Sequence, residues 1–133
     1  MTTVTGIDVQ SIEEVAASLV KFGDRYRRRL FTNRELDECG DRAEITAREL
    51  ATRFAAKEAV LKILNPSDVI PSWRSIEIQL SGRRFEVVLT AGAAVLARRR
   101  GIDEFLLSTS YGGGFAMATV TAETAPFADE VLS

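Results

Sequence analysis

Residues 46–64 carry one unbroken helical pattern, and a lysine, Lys57, falls on its apolar face. With Leu50 set at zero on a wheel of about 100° per residue, Leu50, Phe54, Leu61 and Leu64 cluster within about 40°. Lys57 lies inside this stripe. Glu58 and Lys62 lie on its shoulder, with Ala47, Ala51 and Ala55. The stripe predicts a helix that packs, and the small residues let another element approach it closely. A carboxylate and an ammonium would then line the gap. Thr46 and Glu49 have the T-x-x-E spacing of a capping box that opens the helix. Asn65-Pro66-Ser67 closes it. Plainer readings exist. Glu58 and Lys62 are spaced i, i+4, like a surface pair worth ~0.3–0.5 kcal/mol. Lys57 could bury only its stem and keep its ammonium in water.

Around this helix the pattern changes character. Val4 to Val9 reads as a strand interrupted by Gly6 and Asp8. Ser11 can cap a helix whose first turn holds Glu13 and Glu14, where the helix dipole favours acid. Ile12, Val15, Leu19 and Phe22 keep helical spacing to about Lys21, and Gly23-Asp24 ends it. Arg25, Arg27, Arg28 and Arg29 form a basic cluster. Phe31 to Asp41 reads as a turn of helix followed by a loop. Ser75–Leu80 and Phe85–Thr90 alternate as strands about a Ser81-Gly82 turn. Ala91–Arg100 is a short helix with Gly101 as its cap. Phe105–Ser110 and Phe115–Thr121 are two more strands, joined by Tyr111-Gly112-Gly113-Gly114. From Glu123 onward, with Pro126, the tail can dangle or dock. The prediction is one α+β domain over residues 1–133, with a mostly antiparallel sheet, one long helix and two or more shorter ones.

Composition narrows the chemistry. Of 133 residues, 46% are apolar and 27% charged, as in an ordinary globular chain. A net charge of −2 does not favour nucleic acid as a partner. No apolar run reaches the ~18 residues of a membrane span. The N-terminus lacks the basic and apolar regions of a signal peptide. Cys39 is the only cysteine, so no internal disulfide forms, and a cytoplasmic location is the expectation. With no histidine, His-based triads and His-ligated metals are excluded. Any metal would be a hard cation on oxygen ligands, magnesium or calcium.

The motifs also have an order. Gly6-Ile7-Asp8 sits on the first strand, and F-T-x-x-E (Phe31, Thr32, Glu35) follows the first helix. R-F-A-A-K-E-A-x-x-K runs from Arg53 to Lys62. W-x-x-I-E-I (Trp73, Ile76, Glu77, Ile78) and S-x-S (Ser108, Ser110) come after it. In this order and length, over roughly residues 4 to 122, the chain resembles the holo-acyl-carrier-protein synthases, the small class of 4′-phosphopantetheinyl transferases.

The resemblance implies the 4′-phosphopantetheinyl transferase fold and a homotrimer with active sites between adjacent subunits. It implies transfer of phosphopantetheine from coenzyme A to a serine of an apo acyl carrier protein, releasing adenosine 3′,5′-bisphosphate. Asp8 and Glu58 would hold magnesium, and Lys62 would bind a coenzyme A phosphate. These three are the catalytic set. Arg53 would lie near the nucleotide. Ser108, Ser110 and Tyr111 occupy the family's S-x-S-H segment, near the coenzyme A phosphates across the subunit boundary. Lys57 belongs beside the phosphates or serves as a structural partner. The proton of the carrier serine would go to a carboxylate near the metal or to water on it, with Glu58 favoured over Glu35.

This chain departs from the pattern in places. Tyr111 replaces the family's histidine, and the three glycines after it make either an anion cradle or a plain turn. Gly82-Arg83-Arg84 replaces a G-x-P, which alters the nucleotide side of the pocket. The basic charge falls after the first helix rather than on it, and it reads as a docking patch for an acidic carrier or as a solvated face. The carrier could serve fatty-acid or polyketide synthesis. Two alternatives follow: a non-catalytic relative that binds coenzyme A or a carrier protein, and an unrelated α+β interaction domain.

Overall fold

The computed structural model describes residues 1–125, apart from the side chain of Glu44. The chain runs β1 (Thr2–Ser11), α1 (Ile12–Phe22), α2 (Asp24–Leu30), α3 (Asn33–Cys39) and α4 (Ala43–Leu64). A 3-10 turn (Trp73–Ser75), β2 (Ile76–Ser81), β3 (Arg84–Leu89), α5 (Ala91–Arg99), β4 (Leu106–Gly112) and β5 (Phe115–Thr124) follow. One antiparallel sheet has the order β1-β5-β4, and β2-β3 is a separate hairpin. The α+β class and the antiparallel pairing agree with the sequence expectation.

The long helix α4 is central. Ala51, Ala55, Ala56, Ala59 and Val60 are all fully buried, on several sides of the helix. Leu61, assigned to the packing stripe, is only half-buried. The single stripe is therefore corrected to burial nearly all round. The reason is topological, because α4 packs on β1 and β5 while α1, α3 and β2 also pack on it. A helix enclosed in this way has no broad polar face.

Close approach of β1 and α4 depends on Gly6. A Cβ there would lie 2.1 Å from the carbonyl oxygen of Ala59. Only a glycine lets the strand meet the helix backbone directly.

Capping differs from expectation. Helix α4 starts at Ala43, after Arg42, with no side-chain cap. Thr46 lies inside it and donates its hydroxyl hydrogen to the carbonyl of Gly40 at 3.0 Å. Glu49 instead pairs with Arg53 at 3.0 Å. The capping box belongs to α3, where Thr32 and Glu35 satisfy each other's backbone N–H groups. At the other end Asn65, left-handed at φ 47°, closes α4 as expected.

The basic cluster forms its own helix, α2. Phe31–Asp41 contains two turns of helix, α3, more than the single turn expected. The strands are longer too. Tyr111 and Gly112 belong to β4, so the turn shortens to Gly113-Gly114, with φ 60° and 85°. Glu123 and Thr124 pair with Thr3 and Thr2, so the tail's first residues are docked. Pro126 onward lies outside the described residues.

Candidate active site between the first strand and the central helix

Strand alternation sorts the candidate residues by face. Gly6, Asp8 and Gln10 pair with Val120, Ala118 and Ala116, which pair in turn with Leu107, Thr109 and Tyr111. The central members of these rows are buried, and this face meets α4. Ile7, Val9, Ser108 and Ser110 point the other way.

On the α4 face the structure brings together Asp8, Glu58 and Lys62. The Lys62 ammonium lies 3.3 Å from Oδ1 of Asp8 and donates to the Ile7 carbonyl at 2.6 Å. Gln10 donates from Nε2 to Oδ2 of Asp8 at 2.6 Å. Glu58 sits one helical turn before Lys62. Burial pushes the Glu58 carboxyl pKa above the ordinary range; the Asp8 charge adds to the rise and Lys62 opposes it. Asp8 is mostly covered, with 14% of its side chain exposed, while 54% of the Lys62 side chain is open to solvent.

Gln10 was not singled out from the sequence. The available signal was its position two residues after Asp8 on one strand, which places both on the same face.

A hard divalent cation fits this donor set. The Asp8 charge adds to the raised proton affinity of Glu58 beside a half-open gap, and positive charge there would relieve the repulsion. No cluster of three or more acidic, histidine or cysteine ligands occurs among the described residues. Two carboxylates suit magnesium, which keeps several water or phosphate ligands.

The other candidates lie apart from this group. Lys57 is wholly buried and pairs with the equally buried Glu35 at 2.7 Å. It also donates to the carbonyls of Trp73, at 2.9 Å, and Ile76. Of the two roles left open for Lys57, the structure takes the structural partner. Burial holds its pKa below the ordinary lysine value, against the opposing pull of Glu35. Glu35 accepts from the backbone N–H of Thr32 and of Ile78, each at 2.9 Å. With every oxygen engaged and no exposure, Glu35 is not a base for an external substrate.

Arg53 is fully buried between Glu49, at 3.0 Å, and Glu38, at 3.4 Å, with its guanidinium over the Phe85 ring. Tyr111 is exposed and carries the Arg48 guanidinium 4.4 Å from its ring centroid. Ser108 and Ser110 share their sheet face with the exposed apolar side chains Ile7, Val9, Leu106, Phe115 and Met117. A cleft of about 730 Å³ separates β3 from β4, and Arg83, Arg84, Phe105, Ser108 and Thr109 line it.

Comparison with known proteins gives the family and the fold. The family model of the 4′-phosphopantetheinyl transferase superfamily matches residues 5–120. A holo-[acyl-carrier-protein] synthase of Desulforudis audaxviator is 41% identical over 119 residues, covering 88% of this chain and 89% of that protein. Another, from Moorella thermoacetica, is 38% identical over 126 residues, with 94% and 96% coverage. Among solved structures, the ACPS–CoA complex of Chronobacterium ammoniagenes superposes with a TM-score of 0.83 at 26% identity, over 95% of this chain and 100% of that one. The chain belongs to the 4′-phosphopantetheinyl transferase superfamily and, within it, to the holo-acyl-carrier-protein synthase family.

Proposed function

We propose that this protein is a magnesium-dependent enzyme that transfers 4′-phosphopantetheine from coenzyme A to a serine of an apo acyl carrier protein. The observation that carries this reading is the meeting of Asp8, Glu58 and Lys62 on one face of the sheet. Asp8 and Glu58 would hold the cation, which supplies charge neutralisation on the pyrophosphate when bound.

The chain's own residues divide the remaining work. Lys62, a flexible point charge with an exposed stem, leaves Asp8 and clamps a coenzyme A phosphate. The carrier serine attacks the phosphorus that bears pantetheine. The P–O bond to adenosine 3′,5′-bisphosphate breaks, and that product departs. Glu58, at the edge of the gap, is the carboxylate assigned to receive the serine proton.

Coenzyme A is assigned to the cleft beside β4, where Arg83 and Arg84 offer cations to its phosphates. Arg53 is assigned to holding α3 and β3 against α4 rather than to touching the nucleotide, because both its charge partners are internal. A homotrimer is supported by the apolar sheet face of Ile7, Val9, Leu106, Phe115 and Met117, all exposed among the described residues. Packing of that face against neighbours would carry Ser108 and Ser110 to a subunit boundary. The arginines of α2, most of them exposed, form the docking patch for an acidic carrier.

Intact-mass analysis tests the activity directly. The protein is mixed with coenzyme A, magnesium and apo carriers of fatty-acid and polyketide type, with a chelator control. A chelator-sensitive phosphopantetheine adduct is expected on at least one carrier. Binding of coenzyme A without an adduct on any carrier would favour the non-catalytic alternative.

A further inference from the structure

The Asp8 carboxylate is held from two sides, and the two holds are unlike. Lys62 contacts Oδ1 with a side chain that is half in solvent, at 3.3 Å. Gln10 contacts Oδ2 at 2.6 Å from a half-buried position on the same strand. Strand geometry fixes this second contact, since residues two apart lie on one face about 6.6 Å apart along the strand. Gln10 is backed by Ala116 of β5, a fully buried residue with no side chain long enough to compete for the amide. The Lys62 contact depends on a mobile side chain that the reaction calls on elsewhere.

We propose that Gln10 is a positioning residue of the metal centre. Its amide fixes Oδ2 of Asp8 and leaves Oδ1 facing the gap shared with Glu58 and Lys62. When Lys62 turns to a phosphate, Gln10 is the side chain that keeps the carboxylate from rotating. A carboxylate free to rotate loses orientation on binding a cation, and a partner that orients it typically changes metal affinity about 10- to 100-fold. The proposal rests on the metal role proposed for Asp8 and Glu58, and it deepens that role.

Gln10→Met keeps the length of the side chain and removes the donor. Gln10→Ala removes both. The test is a Mn²⁺ titration followed by electron paramagnetic resonance, with coenzyme A present, on wild type and both variants. Melting temperatures are measured in parallel. Both variants are expected to bind Mn²⁺ about 10- to 100-fold more weakly at an unchanged melting temperature. In the transfer assay, the magnesium concentration for half-maximal rate should rise by a similar factor. kcat at saturating magnesium should be preserved, which a general loss of structure would not produce. Wild-type affinity in Gln10→Met would overturn the role of Gln10 alone. A wild-type protein that binds no Mn²⁺ would overturn this role together with the metal site on which it rests.

Discussion

Helix α4 carries two lysines five residues apart, and they have opposite lives. Lys57 is sealed at 0% exposure against an equally sealed Glu35. Lys62 pairs with Asp8 at a longer distance and keeps half of its side chain in water. Both pair a lysine of one helix with a carboxylate, yet one joins elements and the other stands half open to solvent. The difference lies in what surrounds each carboxylate. Glu35 also caps α3 and accepts from Ile78, so its pair ties α3 and β2 to α4. Asp8 is held by Gln10 and a half-exposed lysine beside an open gap. A buried pair that loses one partner strands a charge in a poor solvent, whereas an exposed pair simply rehydrates.

Breaking the buried pair should have the largest effect on stability. Lys57→Ala is expected to cost about 3–5 kcal/mol in urea denaturation, because Glu35 is left charged and unmatched. Lys57→Met combined with Glu35→Gln should recover only part of that loss: the charge goes, but the single amide oxygen can accept from one of the Thr32 and Ile78 N–H groups and the NH2 faces the other. If the single change costs less than about 1 kcal/mol, the contrast between the two lysines collapses.

Gly6→Ala comes next. Its methyl group would meet the Ala59 carbonyl, so strand and helix must part, at a cost of about 1–3 kcal/mol. Transfer activity should fall as well, because the same movement separates Asp8 from Glu58. A stable and fully active Gly6→Ala protein would remove that contact from the account of the site.

Lys62→Ala should barely change stability, by no more than about 1 kcal/mol, while transfer slows on the order of 100-fold. Asp8→Ala and Glu58→Ala should abolish transfer with the fold retained, as circular dichroism would show.

The smallest effect sharpens the exposed side of the comparison. Followed by carbon NMR in metal-free protein, Glu58 should titrate above the ordinary glutamate range. Asp8→Asn should bring it only part of the way down, since burial is the larger cause. Lys62→Ala should drive it further up, and Lys57→Met should leave it nearly still. Because the native carboxyl holds its proton more tightly than the unfolded one, this group's contribution favours folding at low pH. It is lost as pH rises from the unfolded value through the native one.

Much of this was legible in the sequence, though unevenly. Asp8, Glu58 and Lys62 could be named through the family resemblance that the G-I-D and K-E-A-x-x-K segments carry, and the structure brings the three together. The chain also contains two T-x-x-E segments, and only one is a capping box. Thr46-x-x-Glu49 has the spacing, but the helix had already begun at Ala43, so the box fell inside it. Thr32-x-x-Glu35 does the capping, and its glutamate also reaches Lys57 and Ile78. Spacing along the chain cannot separate the two, because the outcome depends on where neighbouring elements bury the glutamate. The position of Arg53 was hidden for the same reason. A helical wheel gives its angle but not the presence of Glu38 fifteen residues earlier. The facing of Ser108 and Ser110 away from Asp8 follows from the register across β5, which no local pattern contains.

The contact between Gly6 and Ala59 acts as a mechanical stop. Backbone rests against backbone there, with no side chain to compress. Thermal breathing can lift the helix from the strand, but it cannot drive the two closer. The backbone spacing of β1 and α4, which carry Asp8 and Glu58, therefore has a floor without having a ceiling. The helix can lift to make room for a hydrated cation, and it returns only as far as that stop.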